Sequence, residues 1–135
     1  MSDLFTGIEH IGVSAKSPEA LTQFYCEALG FKVKATLQNG DGLPPTFLAA
    51  LGNIMLEIMP ADRVKFPREK PNNEPGIVHL AISVSNFEKA MAHLQNTAAR
   101  PEGEEKPGTF SSRIRFYRDP EGNLFHILYR PQVLV

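Results

Sequence analysis

A chain of 135 residues with a net charge of −1 and a pI near 6.4 has the length of one domain, and its scattered Lys and Arg form no basic stripe for nucleic acid or an anionic membrane. The longest apolar runs are too short to cross a bilayer, and Met1-Ser2-Asp3-Leu4-Phe5 has neither the positive start nor the apolar core of a secretion signal. With Cys26 as the single cysteine, there is no internal disulfide and no thiolate zinc cluster, so the expectation is a cytosolic protein carrying one reduced, packed thiol.

Residues 8–14 alternate, Ile11 and Val13 on one face and His10, Gly12 and Ser14 on the other, which is the period of a half-buried strand. Ser17-Pro18-Glu19 then starts a helix, with a capping hydroxyl, a proline where its missing N–H costs nothing, and an acid near the positive dipole end. Leu21, Phe24, Tyr25 and Ala28 form its apolar stripe and Gly30 stops it. Strands are expected over 31–37, 46–51 and 54–59, with a turn at Asn39-Gly40-Asp41-Gly42 and a hairpin at Gly52-Asn53.

Residues 60–76, rich in proline and charge, read as a connector. The order then starts again. Residues 77–84 read as a strand, Ser85-Asn86-Phe87-Glu88 as a capping box, and Phe87, Ala90, Met91 and Leu94 as the stripe of a helix reaching about Ala98. A weak strand near 100–104 and the loop Lys106-Pro107-Gly108-Thr109 precede two final strands, 113–117 and 124–129, joined through Asp119-Pro120-Glu121-Gly122-Asn123.

Glu9-His10-Ile11-Gly12-Val13-Ser14 is echoed by Val78-His79-Leu80-Ala81-Ile82-Ser83, and each copy has a metal-capable residue downstream. His10 to Glu57 and His79 to His126 span the same 47 positions, in halves offset by 69. Both histidines share a strand face with small residues, which leaves open space above the sheet. A lone histidine in a strand is more often a hydrogen-bonded rim residue, and a lone glutamate more often an edge residue with its head in water. Four at equivalent points of a duplicated unit reverse that reading, because a pseudo-twofold axis brings them to one locus. A divalent cation there would partner the Glu57 carboxylate, whose burial alone costs several kcal/mol. Imidazole with carboxylate suits zinc, nickel, iron, manganese or cobalt. His93, on a helix between Ala92 and Leu94, is taken as a hydrogen-bonded core or rim residue and not a ligand.

These motifs resemble the vicinal oxygen chelate superfamily of glyoxalases, bleomycin resistance proteins and extradiol dioxygenases over nearly the whole chain. Gly7-Ile8-Glu9-His10-Ile11-Gly12-Val13 resembles its opening strand, Phe24-Tyr25-Cys26-Glu27-Ala28-Leu29-Gly30-Phe31 its helix end, and Asp119-Pro120-Glu121-Gly122-Asn123 its last turn. The resemblance implies an α+β fold of two βαβββ modules, about 5–60 and 77–131, that form one domain with a curved mixed sheet around a metal-floored cavity. It implies His10, Glu57, His79 and His126 as metal ligands, though relatives usually carry glutamate at the position of His126. It also implies a homodimer, in keeping with the prevalence of twofold assemblies.

In such proteins two adjacent substrate oxygens chelate the cation, which stabilises developing negative charge. The leading expectation is a glyoxalase-like lyase or isomerase on a small molecule, with Glu57 as general base once it leaves the ion. A histidine-rich site also suits an extradiol-type dioxygenase, although many of those have four modules. The third reading is a metal-free binder of small molecules such as antibiotics, with Phe47, Phe110, Phe116 and Tyr129 as candidate lining. Arg113, Arg115 and Arg118 read as solvated edge charge or anion recognition, and 104–112 as surface connection or lid.

Overall fold

Proline, glycine and short polar side chains place most element ends in a computed structural model that describes residues 4–63 and 75–134. Strand β1 is His10–Ala15 and helix α1 is Pro18–Leu29. The Ser17 hydroxyl accepts from the Ala20 amide at 3.4 Å, and Gly30 sits at φ 78°, donating its N–H to the Cys26 carbonyl at 3.2 Å. A side chain at 30 would meet the steric cost of the left-handed region, which glycine avoids. Strands β2 (Lys32–Leu37), β3 (Thr46–Leu51) and β4 (Ile54–Pro60) complete the first half. Pro60, expected in the connector, ends β4, a short 3-10 turn follows at Ala61–Arg63, and the rest of the connector up to residue 74 lies outside the described residues.

The second half repeats the order with β5 (Leu80–Ser83), α2 (Phe87–Leu94), β6 (Arg100–Pro101), β7 (Lys106–Pro107), β8 (Arg113–Arg118) and β9 (Leu124–Tyr129). The sheets run β1-β4-β3-β2 and β5-β9-β8-β6, with β7 also paired to β8, and in each the first strand lies parallel to the last. The mixed α+β architecture of two modules is therefore present, with one sheet per module. The chain falls into two compact units, Met1–Pro67 and Arg68–Val135, each holding one of these sheets.

Several boundaries differ from expectation, and those of β5 and α2 do so for a local reason. β5 starts at Leu80 rather than 77, because its ladder begins at Leu80 opposite Phe125, the second residue of β9. Helix α2 is capped by the Asn86 side chain, which accepts from the Lys89 amide at 3.0 Å, and not by Ser85. It ends at Leu94, where the Thr97 hydroxyl and amide both donate to the Leu94 carbonyl, at 2.8 and 3.1 Å. The segment 104–112, expected as lid or plain connection, forms β7 and a kinked turn at Thr109–Ser111 in which Phe110 and Ser111 have positive φ.

Each half has its own core between helix and sheet. In the first, Leu21, Phe24, Tyr25 and Ala28 of α1 are buried along with Ala49, Leu56 and Ile58 of the strands that α1 packs against. Tyr25 meets Phe24 and Phe31 edge-on, at 5.2 and 5.3 Å between centroids. In the second, Phe87, Leu94, Tyr117, Phe125 and Ile127 are buried, with the Tyr117 and Phe125 rings stacked at 5.6 Å. Burial on this scale contributes about 1.5–3 kcal/mol per large apolar side chain. Strand alternation then settles the rest: with Leu56 and Ile58, or Phe125 and Ile127, turned to the core, Glu57 and His126 must face away from it.

Candidate metal centre

The ladders put the four expected ligands at matching points. In the first half Gly12 of β1 is opposite Glu57 of β4, and His10 lies two residues upstream on the same face. In the second, Ala81 of β5 is opposite His126 of β9, and His79 lies two residues upstream, just before the strand. A small residue opposite each downstream ligand leaves room for the histidine to reach across diagonally. His10 Nε2 is 3.9 Å from Glu57 Oε1, and the rings of His79 and His126 have centroids 4.4 Å apart. Each half thus assembles its own pair. Among the described residues no group of three or more His, Cys, Asp or Glu side chains is gathered closely enough to hold an ion.

Both pairs carry donors that suit a divalent cation, and the first has a matching spacing as well. Two donors about 2.1 Å from one ion at a tetrahedral angle stand ~3.4 Å apart, so the first pair needs a side-chain adjustment of about half an ångström. In the second, His126 is 5% exposed and its Nδ1 is buried without a hydrogen bond of good geometry. A buried nitrogen left without a partner costs on the order of 1–3 kcal/mol, which ion binding on the ring would help offset.

The surroundings differ in charge. The imidazole of His10 is held above its ordinary value of 6.5 first by its contact with Glu9, whose Oε1 is 2.5 Å from Nδ1, and further by the nearby Glu57 carboxylate. His126 is pushed below 6.5, chiefly by burial and then by repulsion from His79, with the Ile127 backbone offsetting this only slightly. Phe116 supplies much of that apolar wall, with its ring edge-on to His126 at 4.9 Å and to His79 at 5.3 Å, and Lys106 Nζ 5.3 Å from its centroid. Phe116 was among the expected cavity aromatics. Glu9 was not singled out, although an acid next to a candidate ligand was the available signal.

The other candidates are mostly occupied within the second half. Arg113 donates from Nη1 to Glu88 at 2.6 Å and from Nε to Glu105 at 2.7 Å, which holds both carboxyls below their ordinary range. It also lies 4.6 Å over the Phe87 ring, beside a cavity of about 270 Å³ that Ser85, Asn86 and Tyr129 help line. Arg115 donates to the Gly103 carbonyl, and Arg118 to Glu102 and the Gly122 carbonyl. These partly exposed arginines tie strands and loops together. Phe110 is 77% exposed, Phe47 is partly buried, and Cys26 is free and partly buried.

Comparison with known proteins agrees with this architecture. Residues 7–127 match the model of the Glyoxalase/Bleomycin resistance protein/Dioxygenase superfamily. The "Uncharacterized protein YaeR" of Escherichia coli (strain K12) is 28% identical over 124 residues, 85% of this chain and 89% of that protein. The glyoxalase family protein from Enterococcus faecalis is also 28% identical, with a TM-score of 0.73 over 92% of this chain and 98% of its own. TnmS3, an antibiotic binding protein from Streptomyces sp. CB03234, shares the fold at 20% identity and a TM-score of 0.71, over 94% of this chain and 98% of that one. With matching ladders in its two halves and a family model spanning residues 7–127, the chain belongs to the Glyoxalase/Bleomycin resistance protein/Dioxygenase superfamily.

Proposed function

We propose that the protein is a divalent-metal-dependent enzyme of this superfamily, a glyoxalase-like lyase or isomerase acting on a small molecule with two adjacent oxygens. The observation that carries the reading is the identical placement of His10 and Glu57 in one module and His79 and His126 in the other. In this reading the protein is a cytoplasmic homodimer, and His10, Glu57, His79 and His126 would serve as ligands to nickel, zinc, iron, manganese or cobalt. A divalent ion so held supplies Lewis-acid stabilisation of negative charge on substrate oxygens.

The chain's own residues divide the remaining work. His10, His79 and His126 serve as neutral ligands. Glu57, the only carboxylate of the set, would act as the base that takes a substrate proton, a role that needs it off the ion because a dication lowers a carboxylate's basicity. The partly buried Phe116 excludes water on one side of the second pair.

The test is metal analysis after loading the purified protein with nickel or zinc, followed by thiohemiacetal turnover. Uptake of one ion per chain, lost in His10→Ala and in His79→Ala, supports the centre. Failure of the intact protein to take up any of these ions sinks it. A dioxygenase would instead consume oxygen with an aromatic diol in the ferrous form. A binder like the Streptomyces relative would retain its ligand with no metal present.

A further inference from the structure

We infer that Glu9 is a positioning residue for the metal centre, holding His10 in the one tautomer and ring orientation that aims Nε2 at the ion; the inference rests on the reading above. Glu9 is the residue before β1, and its backbone carbonyl accepts from the Met55 amide at 3.0 Å, which anchors it to β4. Its side chain reaches forward to His10 Nδ1 at 2.5 Å, while Nε2 on the far side of the same ring looks toward Glu57 Oε1 at 3.9 Å. The ring is therefore held between two carboxylates, one at each nitrogen.

A neutral imidazole carries one proton, and a carboxylate can only accept. The contact with Glu9 consequently places the proton on Nδ1 and leaves the Nε2 lone pair free on the side of Glu57. Histidines that bind metals commonly donate their other N–H to a carboxylate in this manner, and loss of that partner typically lowers metal affinity about 10–100-fold. The second module has no counterpart. The position equivalent to Glu9 is Val78, and His79 is instead packed against Phe116 and His126.

The experiment pairs long-range 1H–15N correlation spectra of the metal-free protein, at a pH where His10 is neutral, with zinc titration against a competing chelator dye. In the unaltered protein His10 is expected as the Nδ1–H tautomer. Glu9→Ala should lose that preference and bind zinc about 10–100-fold more weakly, with an unchanged thermal midpoint because the Glu9 side chain is 74% exposed. Glu9→Gln, whose amide oxygen can still accept from Nδ1–H, should recover most of both. An Nε2–H tautomer in unaltered protein that does take up zinc, or equal zinc affinity in Glu9→Ala, overturns the role of Glu9 and leaves the metal centre standing. No zinc uptake by the unaltered protein overturns the metal centre and the role of Glu9 with it.

Discussion

The two modules share a ladder and differ in what surrounds it. Around His10 the neighbours are the carboxylates of Glu9 and Glu57, and the ring is partly open to solvent. Around His126 they are His79 and Phe116, and the ring is almost wholly buried. Backbone register decides where a ligand can stand, whereas the side chains packed against it decide how readily it takes a proton. The two halves thus share a backbone geometry and differ in electrostatics.

The largest expected effect comes from removing one imidazole from each half in turn. On the proposed reading, His10→Ala and His79→Ala each weaken metal uptake by more than the roughly 10–100-fold that loss of an orienting residue costs, measured by competition titration. If only one of the two variants loses the ion, the proposed ligand set is wrong. The hairpins offer a second contrast, in stability. The β8–β9 turn depends on Asp119, which is fully buried and accepts from the Glu121 and Asn123 amides at 2.9 and 3.0 Å and from the Asn123 side chain. The β3–β4 turn depends on Gly52 at φ 62°. Asp119→Ala leaves donors without their acceptor and should cost about 2–3 kcal/mol, against about 1 kcal/mol for Gly52→Ala, both read from urea denaturation.

The pH response should also split the halves. Because His10 is raised above 6.5, its contribution to stability is full below 6.5 and fades as pH rises through the folded-state value. The value for His126 is lowered, so its contribution is full above 6.5 and is lost as pH falls through the folded-state value. Imidazole proton shifts followed over pH in the metal-free protein should therefore show His10 titrating above His126. The reverse order would mean that the carboxylates at His10 are too well hydrated to matter, or that water reaches His126.

Much of the frame was legible because it rests on short-range chemistry. Ser17, Pro18 and Gly30 bound α1 at the expected residues, and the short runs beside the turns at Gly52-Asn53 and Asp119–Asn123 match β3 and β9 to the residue. The end of α2 was harder to read, since Thr97 does the capping that a glycine would have announced. The pairing of His10 with Glu57 and of His79 with His126 was visible through the 47-residue spacing, which needs no knowledge of rotamers. The grip of Glu9 and the packing of Phe116 depend on side-chain torsions and cross-strand neighbours, and no periodicity encodes those.

The smallest effect tests how interchangeable the two floors are. Gly12 and Ala81 occupy the same rung opposite Glu57 and His126, so Gly12→Ala gives the first half the residue of the second. A Cβ at 12 would meet only the Met59 Cε, at 3.4 Å, and that methyl ends a flexible side chain able to give way. Alanine also loses less backbone entropy than glycine in a strand, an advantage of about 0.5–1 kcal/mol. The variant should therefore be as stable as the parent or slightly more so in urea denaturation, with metal affinity changed by less than about threefold (under ~1 kcal/mol). A larger loss of affinity with stability intact would mean that the open space above Gly12, and not only the ladder, sets the reach of His10 toward Glu57.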